Sequence, residues 1–348
     1  MNTMKLATLL LSLSVASVAQ NYAARSMTEQ GVSVIHLVDQ AKGVEVSVVP
    51  SIGNRILGMK VHGKDILYLP TNDIAEIRKR SNSGGIPFLA PWANRLDAEN
   101  FWANDKKYTF NMTLGNVRGP IPTHGVLGNS TLWEFMEAKA DGKSAYVTSK
   151  LRFWKYPQLM AQWPFAHEYE MTYRLSEGTL EVQVTVTNLS SEPMPVALGF
   201  HPYYRIPDIP RDQWIANIPA KKILIYDTRR LANGEVKQYD LPKPHPLQGH
   251  TLDTGFEDLE RDAEGRAHFS IEAGGMKVEA IFGPKYPAAV IYLPQPRDGV
   301  ITDYICFEPM AGITNGINLH HEGKYPDLQS VAPGAKWTES FWVRASGI

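Results

Sequence analysis

Glu308 interrupts an apolar run that starts at Tyr304 and ends at Pro309. A carboxylate in such a setting is costly unless it is paired or used. Burial would raise its pKa toward that of a working general base. The alternative is a Glu at a strand end pointing into water. A possible partner lies in Gly199-Phe200-His201-Pro202-Tyr203-Tyr204, which follows the strand-like Val196-Ala197-Leu198. His201 then falls at a strand end with Pro202 fixing the exit, where an imidazole can serve as general acid or base near neutral pH.

Other segments offer binding groups. In Gly84-Gly85-Ile86-Pro87-Phe88-Leu89-Ala90-Pro91-Trp92-Ala93-Asn94-Arg95-Leu96, the prolines and the Gly pair stiffen a loop that ends in Asn94 and Arg95. A guanidinium held there can donate several hydrogen bonds to hydroxyls, or it can tie down the loop's own carbonyls. His124, in Thr123-His124-Gly125, is either a donor to a ligand or a buried His satisfying backbone groups. Asp253, in Leu252-Asp253-Thr254-Gly255-Phe256, reads as an acidic residue in a turn.

Several chemistries find no support. His320 and His321 are adjacent, which on a strand sends them to opposite faces and makes a poor metal pair. Cys306, the single cysteine, sits in the apolar run and reads as a small buried side chain rather than a nucleophile. There is no Gly-x-Ser-x-Gly elbow, no P-loop and no dinucleotide fingerprint.

The elements that must position these residues are strands. In Thr179–Thr187, Leu180, Val182, Val184 and Val186 alternate with polar residues, as in a half-buried antiparallel strand. Tyr169–Leu175 precedes it through Ser176-Glu177-Gly178, a hairpin signal. Val32–Val38 and Val44–Val49 form another candidate pair. Further runs occur at Ala145–Phe153, Ile223–Tyr226, Lys277–Phe282, Ala289–Leu293 and Ser340–Arg344. Helical period is scarce outside Asp73–Arg80. With 27 Gly and 24 Pro as punctuation, the pattern predicts an all-β fold, a large antiparallel β-sandwich. Without a linker-like stretch or a fixed repeat, one domain over residues 28–348 is expected.

The 348 residues carry a formal net charge of -1, which argues against nucleic acid and for a small neutral ligand. Lys5, the apolar stretch Leu6–Val15 and the small-x-small site Ser17-Val18-Ala19 read as a signal peptide over residues 1–19. The run is short for a membrane anchor. Export to the periplasm or the extracellular space is therefore expected.

Taken in order, the segments around Asn94-Arg95, His124, His201, Asp253 and Glu308 resemble the aldose 1-epimerase (galactose mutarotase-like) family. The resemblance runs from about Val32 to the last strand. It implies a β-supersandwich that binds a hexose such as glucose or galactose without metal or organic cofactor. It further implies Glu308 as catalytic base, His201 as catalytic acid, and Arg95, His124 and Asp253, with the adjoining Asn94, as holders of the sugar. The reaction would exchange anomers by opening the ring, with base and acid on opposite sides of C1. Two departures bear on the choice of sugar. Pro202 stands where many galactose mutarotases carry Thr or Ser, and Val290 where some members place a sugar-binding Gln. Alternative readings are a hexose-6-phosphate 1-epimerase, for which Arg118 is the nearby candidate second cation, and a secreted carbohydrate-binding protein of the same fold.

Overall fold

Residues 21–80, 82–113, 117–118 and 121–348 are described by the computed structural model, without the side chains of 117 and 118. The expected signal peptide, residues 1–19, lies outside them, as does any structural role for the Arg118 side chain. Among the described residues, antiparallel ladders make up sheets of five, nine and eight strands and three two-stranded ribbons.

The nine-stranded sheet centres on Thr179–Asn188, whose Leu180, Val182, Val184 and Val186 are buried while the residues between them are half-exposed. It pairs with His167–Ser176 on one side and with the C-terminal strand Lys336–Ser346 on the other. The eight-stranded sheet runs Ala232–Gln238, Ala220–Tyr226, Leu252–Leu259, Ala288–Leu293, Ile305–Met310, Gly199–Phe200 and Phe88–Leu89, with Tyr203–Tyr204 also paired to Ile305–Met310. These two sheets pack face to face. Phe341 lies 4.9 Å from Phe200 and Phe269 5.5 Å from Phe307, centroid to centroid. The five-stranded sheet of Tyr22–Glu29, Val32–Asp39, Val44–Val49, Arg55–Val61 and Lys64–Asp65 joins the same hydrophobic cluster through Ile35, Leu37, Val46 and Ile56.

That packing decides where chemistry can sit. Side chains alternate between the faces of a strand. Phe200, Phe256, Ile291 and Phe307 are fully buried in the main core. Their neighbours His201, Gly255, Val290 and Glu308 therefore face the other side of the eight-stranded sheet.

The first strand, Tyr22–Glu29, returns along Val32–Asp39 through the hairpin turn Gln30-Gly31, both with positive φ. Two sequence expectations need correcting. Asp253 lies within the strand Leu252–Leu259 and not in a turn. The space over Gly255 is filled by Tyr226 and Leu224, with which any Cβ there would collide, so this Gly is an accommodation inside a strand. His201 and Pro202 follow the strand end at Phe200, and pairing with the Ile305–Met310 strand resumes at Tyr203–Tyr204. His320 and His321 end the helix Gly316–His321 and occupy no strand. His320 bonds the Tyr325 carbonyl oxygen through Nδ1 at 2.8 Å, and His321 stacks on Trp102 at 4.0 Å. The helix expected near Asp73–Arg80 forms over Ile74–Lys79, and its Asp73 carboxylate caps the amides of Ala75 and Glu76.

Candidate active site

Register brings His201 to Glu308. Gly199 pairs with Met310 and Tyr203 with Cys306. Counting inward along the antiparallel ladder sets residue 201 opposite residue 308. Pro202 has no N–H to give to that ladder, while the His201 and Tyr203 amides serve the other flank, donating to the Pro87 carbonyl at 3.0 Å and the Gly85 carbonyl at 2.9 Å. The His201 Nε2 lies 3.2 Å from the Glu308 Oε1. Both side chains are almost wholly enclosed, at 7% and 1% exposure for the residues. Glu308 is thus mid-strand and buried, and the reading of a strand-end Glu in water does not hold. The His201 ring also stacks on Tyr203 at 4.7 Å.

The remaining residues arrive on two loops that clasp each other. Asn94 and His124 both adopt left-handed backbone, φ 53° and 59°. The His124 amide donates to the Asn94 carbonyl at 2.8 Å, and the Asn94 amide donates to His124 Nδ1 at 3.2 Å. Because Nδ1 accepts, a neutral His124 carries its proton on Nε2. Two strained non-glycine residues facing each other are a feature expected of a functional site. The His124 and His201 rings are 5.4 Å apart. Gly125 lets this clasp lie against the Ala90-Pro91 backbone, with the Val126 amide donating to the Ala90 carbonyl at 2.9 Å. Its φ is +61°, and a Cβ would overlap the Ala90 carbonyl.

Arg95 reaches across the cleft. Its guanidinium donates to Asn94 Oδ1 at 3.1 Å and to Asp253 Oδ2 at 3.4 Å. It therefore ties down side chains at the site and not the carbonyls of its own loop. All six sequence-selected residues, Asn94, Arg95, His124, His201, Asp253 and Glu308, line one cleft of about 290 Å³.

Sequence reasoning missed the aromatic wall. Tyr203, Tyr292 and Tyr304 also line this cleft. Burial raises the pKa of each phenol, so they stand as hydrogen-bonding groups and not as bases. Tyr226, within reach of the field of Asp253, Arg95 and Glu308, is likewise raised by burial, and its hydroxyl meets the Thr314 hydroxyl at 3.1 Å. Their types gave no signal among fifteen Tyr. A buried brace was missed as well. The Arg55 guanidinium donates to the carbonyls of Ser83 at 3.2 Å and Gly128 at 2.7 Å and to Asn129 Oδ1 at 2.6 Å. It links the cleft-lining loop at Ser83 to the chain just past His124. Burial lowers its pKa to about 10, which leaves it charged at neutral pH.

Cys306 is fully buried, and burial pushes its thiol well above the usual range, so it is no nucleophile. Among the described residues no cluster of three or more His, Cys, Asp or Glu is placed to hold a metal, and no helix is long and apolar enough to cross a membrane.

The His–Glu pair and the Arg–Asp pair thus meet in one cleft beside the eight-stranded sheet of an antiparallel β-sandwich. The chain belongs to the aldose 1-epimerase family, whose model matches residues 34–344. It is 23% identical over 274 residues to the uncharacterized protein YphB of Escherichia coli K12, covering 75% of this chain and 83% of that one. The fold is that of a galactose mutarotase-like protein from Clostridium acetobutylicum, with a TM-score of 0.84 at 22% identity, over 94% of this chain and 99% of the other. Galactose 1-epimerase from Lactobacillus acidophilus superposes with a TM-score of 0.73 at 15% identity, over 93% and 99% of the two chains.

Proposed function

We propose that this protein interconverts the α and β anomers of a free hexose, with Glu308 as base and His201 as acid. The observation that carries this reading is the 3.2 Å contact between His201 Nε2 and Glu308 Oε1 at an enclosed end of the cleft. Anomer exchange requires one proton to leave O1 while another reaches the ring oxygen. Both oxygens are bonded to C1, so donor and acceptor must stand close together. A sugar entering the cleft replaces the direct contact: O1 donates to the Glu308 carboxylate, and protonated His201 donates to the ring oxygen. Proton transfer at both sites breaks the bond from C1 to the ring oxygen and leaves an aldehyde at C1 and a hydroxyl at C5. Rotation about the C1–C2 bond presents the other carbonyl face. Closure then returns both protons, His201 taking back the C5 hydroxyl proton and Glu308 giving its proton to O1. Protons and electron pairs balance over the cycle.

Arg95, His124 Nε2, Asn94 and Asp253 would hold the remaining sugar oxygens, contributing by orientation. Polarimetry on freshly dissolved α-glucose tests the activity. Glu308→Gln should lower kcat by about 10²–10⁴, the usual worth of a positioned acid or base, while sugar binding persists. Full activity in that variant would overturn the assignment of the base. We also propose that the chain is exported and that residues 1–19 are removed. N-terminal sequencing of the mature protein should then begin at Gln20, and an intact leader would refute it.

A further inference from the structure

Residues two apart on an extended segment share a face. His201 and Tyr203 flank Pro202, whose ring fixes φ, and their own rings stack 4.7 Å apart and 17° from parallel. His124 and Tyr292, by contrast, stand across the imidazole plane, at 80° and 66°.

The phenol is held from several directions. Its hydroxyl donates to the Asn82 carbonyl at 2.7 Å. Its amide donates to the Gly85 carbonyl at 2.9 Å, and its carbonyl accepts from the Tyr68 amide at 2.8 Å. Asn82 is itself buried in left-handed backbone, φ 55°. The rings of Tyr304 and Tyr68 lie 5.1 and 6.5 Å from that of Tyr203. The hydroxyl is thus engaged by the fold, and what Tyr203 presents to His201 is the face of its ring.

The proposed cycle asks His201 to serve two partners. Its Nε2 lies 3.2 Å from Glu308 Oε1 and has to meet the ring oxygen of a bound sugar. A flat neighbour opposes tilting of the imidazole out of its plane and leaves it free to slide within that plane. A tyrosine face also attracts the positive charge of an imidazolium. We propose that Tyr203 is a positioning residue, whose ring fixes the plane of the His201 imidazole while Nε2 passes from Glu308 to the sugar. The proposal rests on the reading of His201 as the acid.

The test separates a flat ring from bulk alone. Tyr203→Leu fills space without an aromatic face, and Tyr203→Phe keeps the face without the Asn82 bond. Glu308, His124 and Tyr292 also face the imidazole, and Tyr304, Arg95, Asp253 and Arg297 line the rest of the cleft. All of them stay when only residue 203 is changed. The His201 C–H resonances, assigned by comparison with His201→Asn, are followed through pH by NMR, which needs no turnover. In Tyr203→Leu the imidazole should bind its proton about tenfold less tightly than in the wild type, the scale of an aromatic contact to a cation. Tyr203→Phe should restore most of the difference. In polarimetry on glucose, kcat should fall about tenfold in Tyr203→Leu with KM nearly constant, and Tyr203→Phe should recover most of the loss. Urea unfolding checks that each variant is folded, and Tyr203→Met, unbranched and adaptable, takes the place of a Leu variant that is not. An unshifted titration or an unaltered kcat in Tyr203→Leu, or equal losses with Leu and Phe, overturns the proposal. A wild-type protein inert toward glucose refutes the epimerase reading instead, while the NMR titration still decides the stack.

Discussion

His167 should make the protein measurably less stable in mild acid, and the size of the loss follows from its surroundings. The ring is fully buried, stacked on Phe153 at 4.2 Å and edge-on to Tyr169 at 4.7 Å. Its Nδ1–H donates to the Phe165 carbonyl at 2.6 Å, and Nε2 has no hydrogen-bond partner among the described residues. A proton added at Nε2 would be a buried charge with nothing to receive its N–H. Burial accordingly lowers the pKa from 6.5 to about 4, with the Phe165 carbonyl opposing. Between those values the unfolded chain takes up a proton that the folded chain refuses. The contribution to stability is complete above pH 6.5 and is lost as pH falls toward 4. At 1.36 kcal/mol per pKa unit the whole effect is about 3 kcal/mol, of which about 2 kcal/mol is gone by pH 5. His167→Asn keeps a donor near the Nδ1 position and cannot titrate. Urea unfolding at pH 7.5 and pH 5 should show the wild type losing about 2 kcal/mol more than this variant, since every other titrating group is common to both. Equal losses would show that the buried imidazole is not the cause. The variant also serves the enzymology, because an acid limb of the activity profile that persists in it cannot arise from unfolding driven by His167.

Two further changes probe how the fold supports the site. Gly125→Ala forces a side chain into left-handed backbone and against the Ala90 carbonyl. It should cost about 2–5 kcal/mol of stability and lower kcat/KM for the sugar by displacing His124, measured by urea unfolding and polarimetry. Unchanged values would mean that the two loops do not need this close approach. Arg55→Met leaves the acceptors at Ser83, Gly128 and Asn129 without their donor. It should destabilise by about 3 kcal/mol or more and raise KM more than it lowers kcat, whereas an unaltered KM would separate Arg55 from the cleft.

What the sequence discloses is what depends on local pattern. The alternation of Leu180, Val182, Val184 and Val186 needs only one buried face to produce it, and the strand appears over Thr179–Asn188. The position of Glu308 in an apolar run was legible for the same reason, since a strand packed by its neighbours encloses it whatever lies opposite. Asp253 was misplaced into a turn because Thr254-Gly255 looks like a chain reversal until Tyr226, from the neighbouring strand, is seen to occupy the space over Gly255. His320 and His321 were assigned to a strand because a helix of six residues is too short to display a period. The tyrosine wall had no local signal at all. Its convergence depends on which strands become neighbours.

The acid–base pair shows most directly how such long-range facts arise from short-range ones. Pro202 cannot donate to a ladder, so the pairing of Gly199 with Met310 and Tyr203 with Cys306 must skip the residues between them. The His201 amide serves the opposite flank at Pro87, as the Tyr203 amide does at Gly85, and the His201 imidazole lies against Glu308. A Thr or Ser after His201 would restore a backbone donor there, and with it the option of closing the ladder. Pro202→Ser therefore separates two explanations of the contact. If the missing N–H holds the strands apart, the substitution should shift His201 and change the pH dependence of turnover. If the surrounding tyrosines hold them apart, the pair and its profile should be unaltered. The second result would move the origin of the site from the backbone of this segment to the packing of Tyr203 and Tyr304, whose rings lie 5.1 Å apart above it.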